Sequence, residues 1–284
     1  MIDEFVEELT RRGASANTVQ TYARNIRLFV QWFEGSTGER FDDHITIFDC
    51  REYRGYLNNI KKQAPNSINA KLTAVQQYAD FLSAHGVQEH INVEMLKHVR
   101  QTGVKILDRP SLYKCRRWVH AYAPKRDIAV FELLLNTGIR ESELVQAELD
   151  DLQISDRKGS LIVRAGKGGK LRTVPLNNDV RTAISDYLAM RPASTETQIF
   201  LGQRGPLTRN AVYKIVQAIG KQGAGVELSP HTLRHICFSQ MAKNGTDLAT
   251  VAELAGHSDV KLTAAYYLGR TDEDREAAVD GLNF

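Results

Sequence analysis

The sequence predicts a mainly α protein of two domains: a helical domain over residues 1–100, then a mixed, mostly helical domain over residues 111–284 that holds a small antiparallel β-sheet. Three observations predict it. Apolar residues recur at three- and four-residue steps along much of the chain, which places them on one face of a helix. Two β-rich runs flank the glycine-rich turn Gly166-Lys167-Gly168-Gly169, a hairpin signal. The periodic pattern lapses over residues 101–110, where Gly103 and Pro110 mark a linker. A chain of 284 residues is also about two domains long.

In the first domain, Val19, Tyr22, Ala23, Ile26, Phe29, Val30 and Phe33 form the stripe of a helix over residues 18–33. Ile68, Leu72, Val75, Tyr78, Ala79 and Leu82 form another over 67–85, with Asn66 or Ser67 as its cap and Gly86 as its stop. Residues 48–60 between them read as a third helix and 91–100 as a fourth. In the second domain the apolar run 127–136 reads as a helix ending at Thr137-Gly138, and a new one starts at Ile139-Arg140. Residues 160–164 and 170–176 are the two strands. Helices follow over 208–220, then over 230–244 with Ser229 as cap and Pro230 in the first turn. Two shorter ones cover 247–255 and 259–268.

Composition excludes several classes. The chain is 42% hydrophobic and 25% charged, too apolar for a disordered chain, and no apolar run reaches the roughly 18 residues that cross a bilayer. The charged start Met1-Ile2-Asp3-Glu4 is no signal peptide, so a cytoplasmic protein is expected, with no membrane partner. Cys50, Cys115 and Cys237 form no CxxC pair and read as reduced structural thiols. Net charge is only +3, but residues 157–226 carry 12 basic and 3 acidic side chains. That local excess suits a polyanion such as the DNA backbone, or a basic surface offset by acidic neighbours.

The residues with chemistry stand where helices begin and hairpins turn. Arg140 opens a helix, where a guanidinium fork can hold a phosphate, and Glu143 lies three residues on, on the same face. Lys167 sits at the glycine turn. A nucleotide-binding P-loop is excluded, because no glycine stands five residues before Gly166 and neither Lys167 nor Lys170 precedes Ser or Thr. His231 and Arg234 share a helix face one turn apart. His231 and His235 have the spacing of a zinc helix, but the glutamate of HExxH is missing and no clear further ligand follows, so no metal and no cofactor are expected. His257 follows Ala255-Gly256 as a phosphate donor or a helix cap, and Tyr266-Tyr267 on the last helix read alone as core aromatics. Arg24, Arg27 and Lys71 in the first domain, and Lys170, Arg172, Arg204, Arg209 and Lys214 in the second, are candidate DNA contacts or ordinary solvated charges.

In their order, four blocks resemble the tyrosine recombinase (phage integrase) family: Asn136-Thr137-Gly138-Ile139-Arg140-Glu141-Ser142-Glu143-Leu144, then the run from Gly166 to Leu176, then His231-Thr232-Leu233-Arg234-His235, then Leu254-Ala255-Gly256-His257-Ser258 with Tyr266 nine residues after His257. The likeness covers residues 111–268 well, and the opening helices are similar to the family's core-binding domain. It implies a site-specific DNA recombinase whose two domains clamp one site, the linker letting the clamp close, with a C-terminal tail from about residue 269 that docks on a neighbouring protomer. Within the family, size and compactness imply a bacterial enzyme of the mobile-element or chromosome-resolution type, with a transposon-encoded recombinase that resolves cointegrates as the narrower expectation.

The resemblance assigns roles. Tyr266 is the nucleophile that forms a 3′-phosphotyrosyl intermediate, Arg140 and Arg234 hold the non-bridging oxygens, and His231 takes the tyrosine proton. Lys167 protonates the departing 5′-oxygen, His257 hydrogen-bonds the phosphate, and Glu143 positions the cations. Partners follow as double-stranded DNA carrying recombination sites, a tetramer of the chain on two sites, and accessory DNA-binding proteins. Ala255-Gly256-His257 departs from the family's usual Leu-Gly-His, and Tyr267 stands beside the assigned nucleophile. A type IB-like topoisomerase and a non-catalytic DNA-binding protein are the alternative readings.

Overall fold

Helical periodicity accounts for nearly all of the architecture. The computed structural model describes residues 1–97, 107–164 and 171–256. The expected helix over 259–268, the tail from 269, and Lys167, Lys170, His257, Tyr266 and Tyr267 lie outside the described residues. The chain divides into two compact units, Met1–Gln101 and Thr102–Phe284.

The first unit is built from α1 (Ile2–Arg11), α2 (Ala16–Thr37), α3 (Ile47–Gly55, continued by a π-helical turn at Tyr56–Ile60) and α4 (Pro65–Ala84). The stripes of α2 and α4 meet through Ile26, Phe29, Ile68, Leu72, Val75 and Leu82, all fully buried. Each such side chain contributes on the order of 1.5–3 kcal/mol through apolar burial. The cap of α4 is Ala64 rather than Asn66 or Ser67: Pro65 fits the first turn, where its missing N–H has no partner to lose, and the amide of Ile68 donates to the Ala64 carbonyl at 3.1 Å.

Residues 91–97 are not the expected helix. They run along α4, and two amide side chains seven residues apart on that helix take the place of a hydrogen-bond ladder. Gln76 accepts from the Val93 amide at 2.6 Å and donates to the Ile91 carbonyl at 2.9 Å. Asn69 accepts from the Leu96 amide at 2.8 Å and donates to the Leu96 carbonyl at 2.9 Å. Backbone groups satisfied from outside have no need of a helix.

The second unit contains α5 (Arg109–Tyr122), α6 (Lys125–Thr137), α7 (Glu141–Gln146), β1 (Leu152–Ile154), β2 (Gly159–Val163), β3 (Arg172–Pro175), α8 (Asn178–Leu188), β4 (Leu201–Gly202), β5 (Gly205–Pro206), α9 (Arg209–Ala224), α10 (Pro230–Lys243) and α11 (Leu248–Ala255). Asp108 caps α5 by accepting from the Ser111 amide at 3.3 Å, so Arg109 and Pro110 open a helix instead of ending a linker. Buried almost all round, α6 is the central helix, packed against α8 and α10. β1, β2 and β3 form one antiparallel sheet in that order, with Leu161 opposite Val174 and Val163 opposite Arg172. Leu161 and Val174 are buried. Strand alternation therefore turns Arg172, two residues before Val174, toward the interior as well. α11 packs on α10 through Phe238, Val251 and Ala255, which holds it beside β3. Among the described residues, no helix is long and apolar enough to cross a membrane.

Candidate active site

α6 ends at Gly138, which takes φ +63° to close the helix in a left-handed turn. A second constraint acts there: a Cβ at this position would stand 2.6 Å from Phe238 Cε2 and 3.3 Å from Cys237 Sγ. Gly138→Ala is therefore expected to combine the left-handed penalty, about 1–2 kcal/mol, with core overpacking of about 1–3 kcal/mol. Denaturant unfolding of the second unit's transition checks it, and a loss below about 0.5 kcal/mol would mean that Phe238 gives way freely.

The turn at Gly138 hands the chain to Arg140, the N-cap residue of α7. The Arg140 amide donates to Glu143 Oε2 at 2.8 Å, and its guanidinium donates to Glu143 Oε1 at 2.9 Å. Glu143 is buried, and β3 brings it a second arginine: Arg172 donates from its two terminal nitrogens to Oε1 at 2.8 Å and to Oε2 at 2.6 Å, a bidentate fork. Burial pushes the Glu143 carboxyl up, but the Arg172 bonds, the Arg140 amide and both guanidinium charges more than offset it, leaving the group below the usual carboxylate range. Its contribution to stability is thus present above the ordinary carboxylate pKa and is lost only as pH falls through the lowered value. At neutral pH it is an anion between two cations.

Three consecutive carbonyls at the end of α11 each receive a different arginine. Arg172 Nε donates to the Leu254 carbonyl at 3.1 Å, Arg234 donates to the Ala255 carbonyl, and Arg140 reaches the Gly256 carbonyl at 3.5 Å. Carbonyls in the last turn of a helix have no partner within the helix and carry the negative end of its dipole, so cations gather there. Gly256, at φ +62°, ends α11, and a Cβ there would meet Arg172 Nη1 at 3.1 Å. Arg234 is 4% exposed, binds the Gly138 carbonyl as well, and lies over the Phe238 ring at 4.9 Å. Three guanidinium groups meet at this helix end and only two of them share the Glu143 carboxylate, an excess of positive charge that suits a phosphodiester whose charge grows as it is attacked.

His231 is exposed in the first turn of α10, whose cap Ser229 accepts from the Thr232 amide at 3.1 Å. It lines a surface pocket with Glu141, Arg209 and Tyr213. His235, at zinc-helix spacing from it, is instead buried 3.2 Å from the Ser239 hydroxyl, and among the described residues no three His, Cys, Asp or Glu gather as a metal site. Burial pushes the Cys237 thiol up to about 12 against the opposing charge of Arg234.

The charges read as DNA contacts fall in different settings. Arg24 and Arg27 are exposed on α2, and Arg27 lies 3.8 Å from Asp3. Lys71 donates to Gln63 at 2.9 Å, and burial together with the charge of Arg24 lowers its pKa. Arg204 is exposed in the β4–β5 turn, Lys214 is exposed on α9, and Arg209 pairs with Glu141 at 2.7 Å. Arg172 differs from all of these. Its side chain is 11% exposed and is turned to Glu143 and Leu254. Its inward position was readable from the alternation with Val174.

The family model described as "Phage integrase family" matches residues 112–273, and that of the "Phage integrase, N-terminal SAM-like domain" matches residues 2–86. The chain is 31% identical over 283 residues to tyrosine recombinase XerD of Listeria innocua, covering 94% of this chain and 93% of that protein. It is 32% identical over 278 residues to the TnP I resolvase of Bacillus thuringiensis, covering 93% of each. In fold it resembles the Tn1549 transposon integrase in complex with a circular intermediate DNA, with a TM-score of 0.76 at 18% identity over 99% of both chains. The four blocks read from the sequence, the two matched models and the near-full-length relatives agree: the chain belongs to the phage integrase family of tyrosine recombinases.

Proposed function

We propose that this recombinase breaks and rejoins DNA strands at specific sites through Tyr266. The observation that carries the reading is the convergence of Arg140, Arg172 and Arg234 on the end of α11, the helix that leads directly into His257 and Tyr266. Arg140 and Arg234 hold the non-bridging oxygens of the scissile phosphate. His231 accepts the phenolic proton, since the phenol must lose it to attack phosphorus and a neutral imidazole offers a ring nitrogen that can take it. The Tyr266 oxygen bonds to phosphorus as the bond to the 5′-oxygen breaks, and Lys167 protonates that oxygen. His257 donates to the phosphate. The phosphotyrosyl ester keeps the energy of the broken bond, so rejoining consumes neither ATP nor a metal-bound nucleophile.

Strand exchange needs the 5′-hydroxyl of a partner duplex, hence four protomers on two sites, with the tail from about residue 269 docking between protomers. A tail-deleted protein that still assembles synaptic complexes would sink that last element. Residues 1–100 serve as the core-binding domain and residues 111–284 as the catalytic domain. Arg24, Arg27 and Lys71 in the first, with Lys170, Arg204, Arg209 and Lys214 in the second, contact backbone phosphates. The work is done in the bacterial cytoplasm on nucleoid DNA, with accessory DNA-binding proteins. The name of the resolvase relative supports the narrower reading, resolution of transposon cointegrates.

The test is to incubate the protein with supercoiled DNA carrying the sequence that flanks its gene, denature the mixture, and map any covalent adduct. A recombinase leaves protein on one short sequence. Relaxation of any plasmid would favour a type IB-like topoisomerase, and specific binding with no adduct would favour a non-catalytic DNA-binding protein.

A further inference from the structure

We propose that Arg172 is a positioning residue for strand cleavage: it ties Glu143, and through it Arg140, to the end of α11, and so sets the distance between the phosphate-binding arginine and the segment that carries His257 and Tyr266. The inference rests on the recombinase reading above. It reassigns a residue that sequence alone placed among the DNA contacts.

The geometry leaves Arg172 little else to do. All three of its side-chain nitrogens are used: Nη1 and Nη2 on the two Glu143 oxygens, Nε on the Leu254 carbonyl. The planar fork matches a carboxylate at two points, which a lysine cannot do. Glu143 in turn holds both the amide and the guanidinium of Arg140. One rigid chain of bonds therefore runs from Leu254 through Arg172 and Glu143 to Arg140. Gly256 belongs to the same device, because a side chain there would press on Arg172 Nη1 at 3.1 Å. β3 supplies the anchor. Val174, two residues on, is buried opposite Leu161, so the strand cannot rotate Arg172 outward without exposing its own core residue.

The test compares wild type with Arg172→Gln, Arg172→Lys, Glu143→Gln and the Arg172→Gln/Glu143→Gln pair, using the DNA to which the wild type attaches. Covalent attachment at saturating DNA is expected to slow by about 10²-fold in Arg172→Gln, as for a misplacement of about 1 Å. DNA affinity and its salt slope are expected to stay unchanged. Arg172→Lys should recover part of the rate by keeping one ion pair with Glu143, and this variant carries the test if Arg172→Gln does not fold. The double variant should be no slower than the slower single variant, because the two residues act as a unit. The proposal is overturned if Arg172→Gln attaches normally at saturation while its salt slope falls by about one unit, the signature of a phosphate contact. Multiplicative losses in the double variant overturn it too. Amide exchange at Leu254–Gly256 without DNA separates this inference from the recombinase reading. Faster exchange in Arg172→Gln supports the positioning role even where no variant or wild type attaches to DNA, and unchanged exchange overturns it.

Discussion

Tyr266→Phe is expected to abolish the covalent protein–DNA adduct while leaving site-specific binding within about twofold. The substitution removes one oxygen and keeps the ring, so the loss is confined to the atom proposed to bond to phosphorus. A residual rate through another group would have to use a nucleophile at the same place. Tyr267 is the obvious candidate, but it stands ten residues after His257, whereas the resemblance places the nucleophile nine after it. Tyr267→Phe should therefore retain the adduct. Loss of the adduct in Tyr267→Phe alone would move the nucleophile by one residue, and retention in both single variants would remove tyrosine chemistry from this chain.

Arg234→Lys should reduce cleavage by about 10²–10³-fold, the scale for losing one preorganised donor to a developing oxyanion. Two causes act together. Arg234 is 4% exposed, and its terminal nitrogens bind the Gly138 and Ala255 carbonyls, which close α6 and α11. A lysine keeps the charge but offers a point where the fork spanned two carbonyls, so one carbonyl is left without its donor at a cost of about 1–3 kcal/mol. The catalytic deficit should persist at temperatures well below the lowered melting transition, since it arises from charge placement and not only from unfolding. A variant that melts earlier yet cleaves at the wild-type rate in the cold would make Arg234 a structural residue only.

Much of this was legible in the chain because it depends on local order. The stripes of α2, α4 and α6, the Ser229 cap and Pro230 of α10, and the β2–β3 pair follow from periodicity and turn chemistry. α1 was missed because Ile2, Phe5, Val6 and Leu9 make only three turns among charges, and α8 because its pattern is short and mixed. β1, β4 and β5, two or three residues each, have no pattern to read.

The misread elements share another cause. Residues 91–97 contain nothing that forbids a helix; it is Asn69 and Gln76, 15 to 27 residues earlier, that take up their backbone groups instead.

At the site, the sequence alone determined the family, the order of the motifs and the residue types able to bind and attack a phosphate, because those depend on chemical identity and spacing. Packing, by contrast, sets that Arg172 meets Glu143 and the Leu254 carbonyl, that Glu143 is the anion shared by two arginines, and that the end of α11 is where three guanidinium groups meet. The reason is physical. A guanidinium binds a phosphate, a carboxylate or a carbonyl by the same chemistry, and which of these it meets is set by residues 82 to 116 positions away that packing alone brings within 3.5 Å.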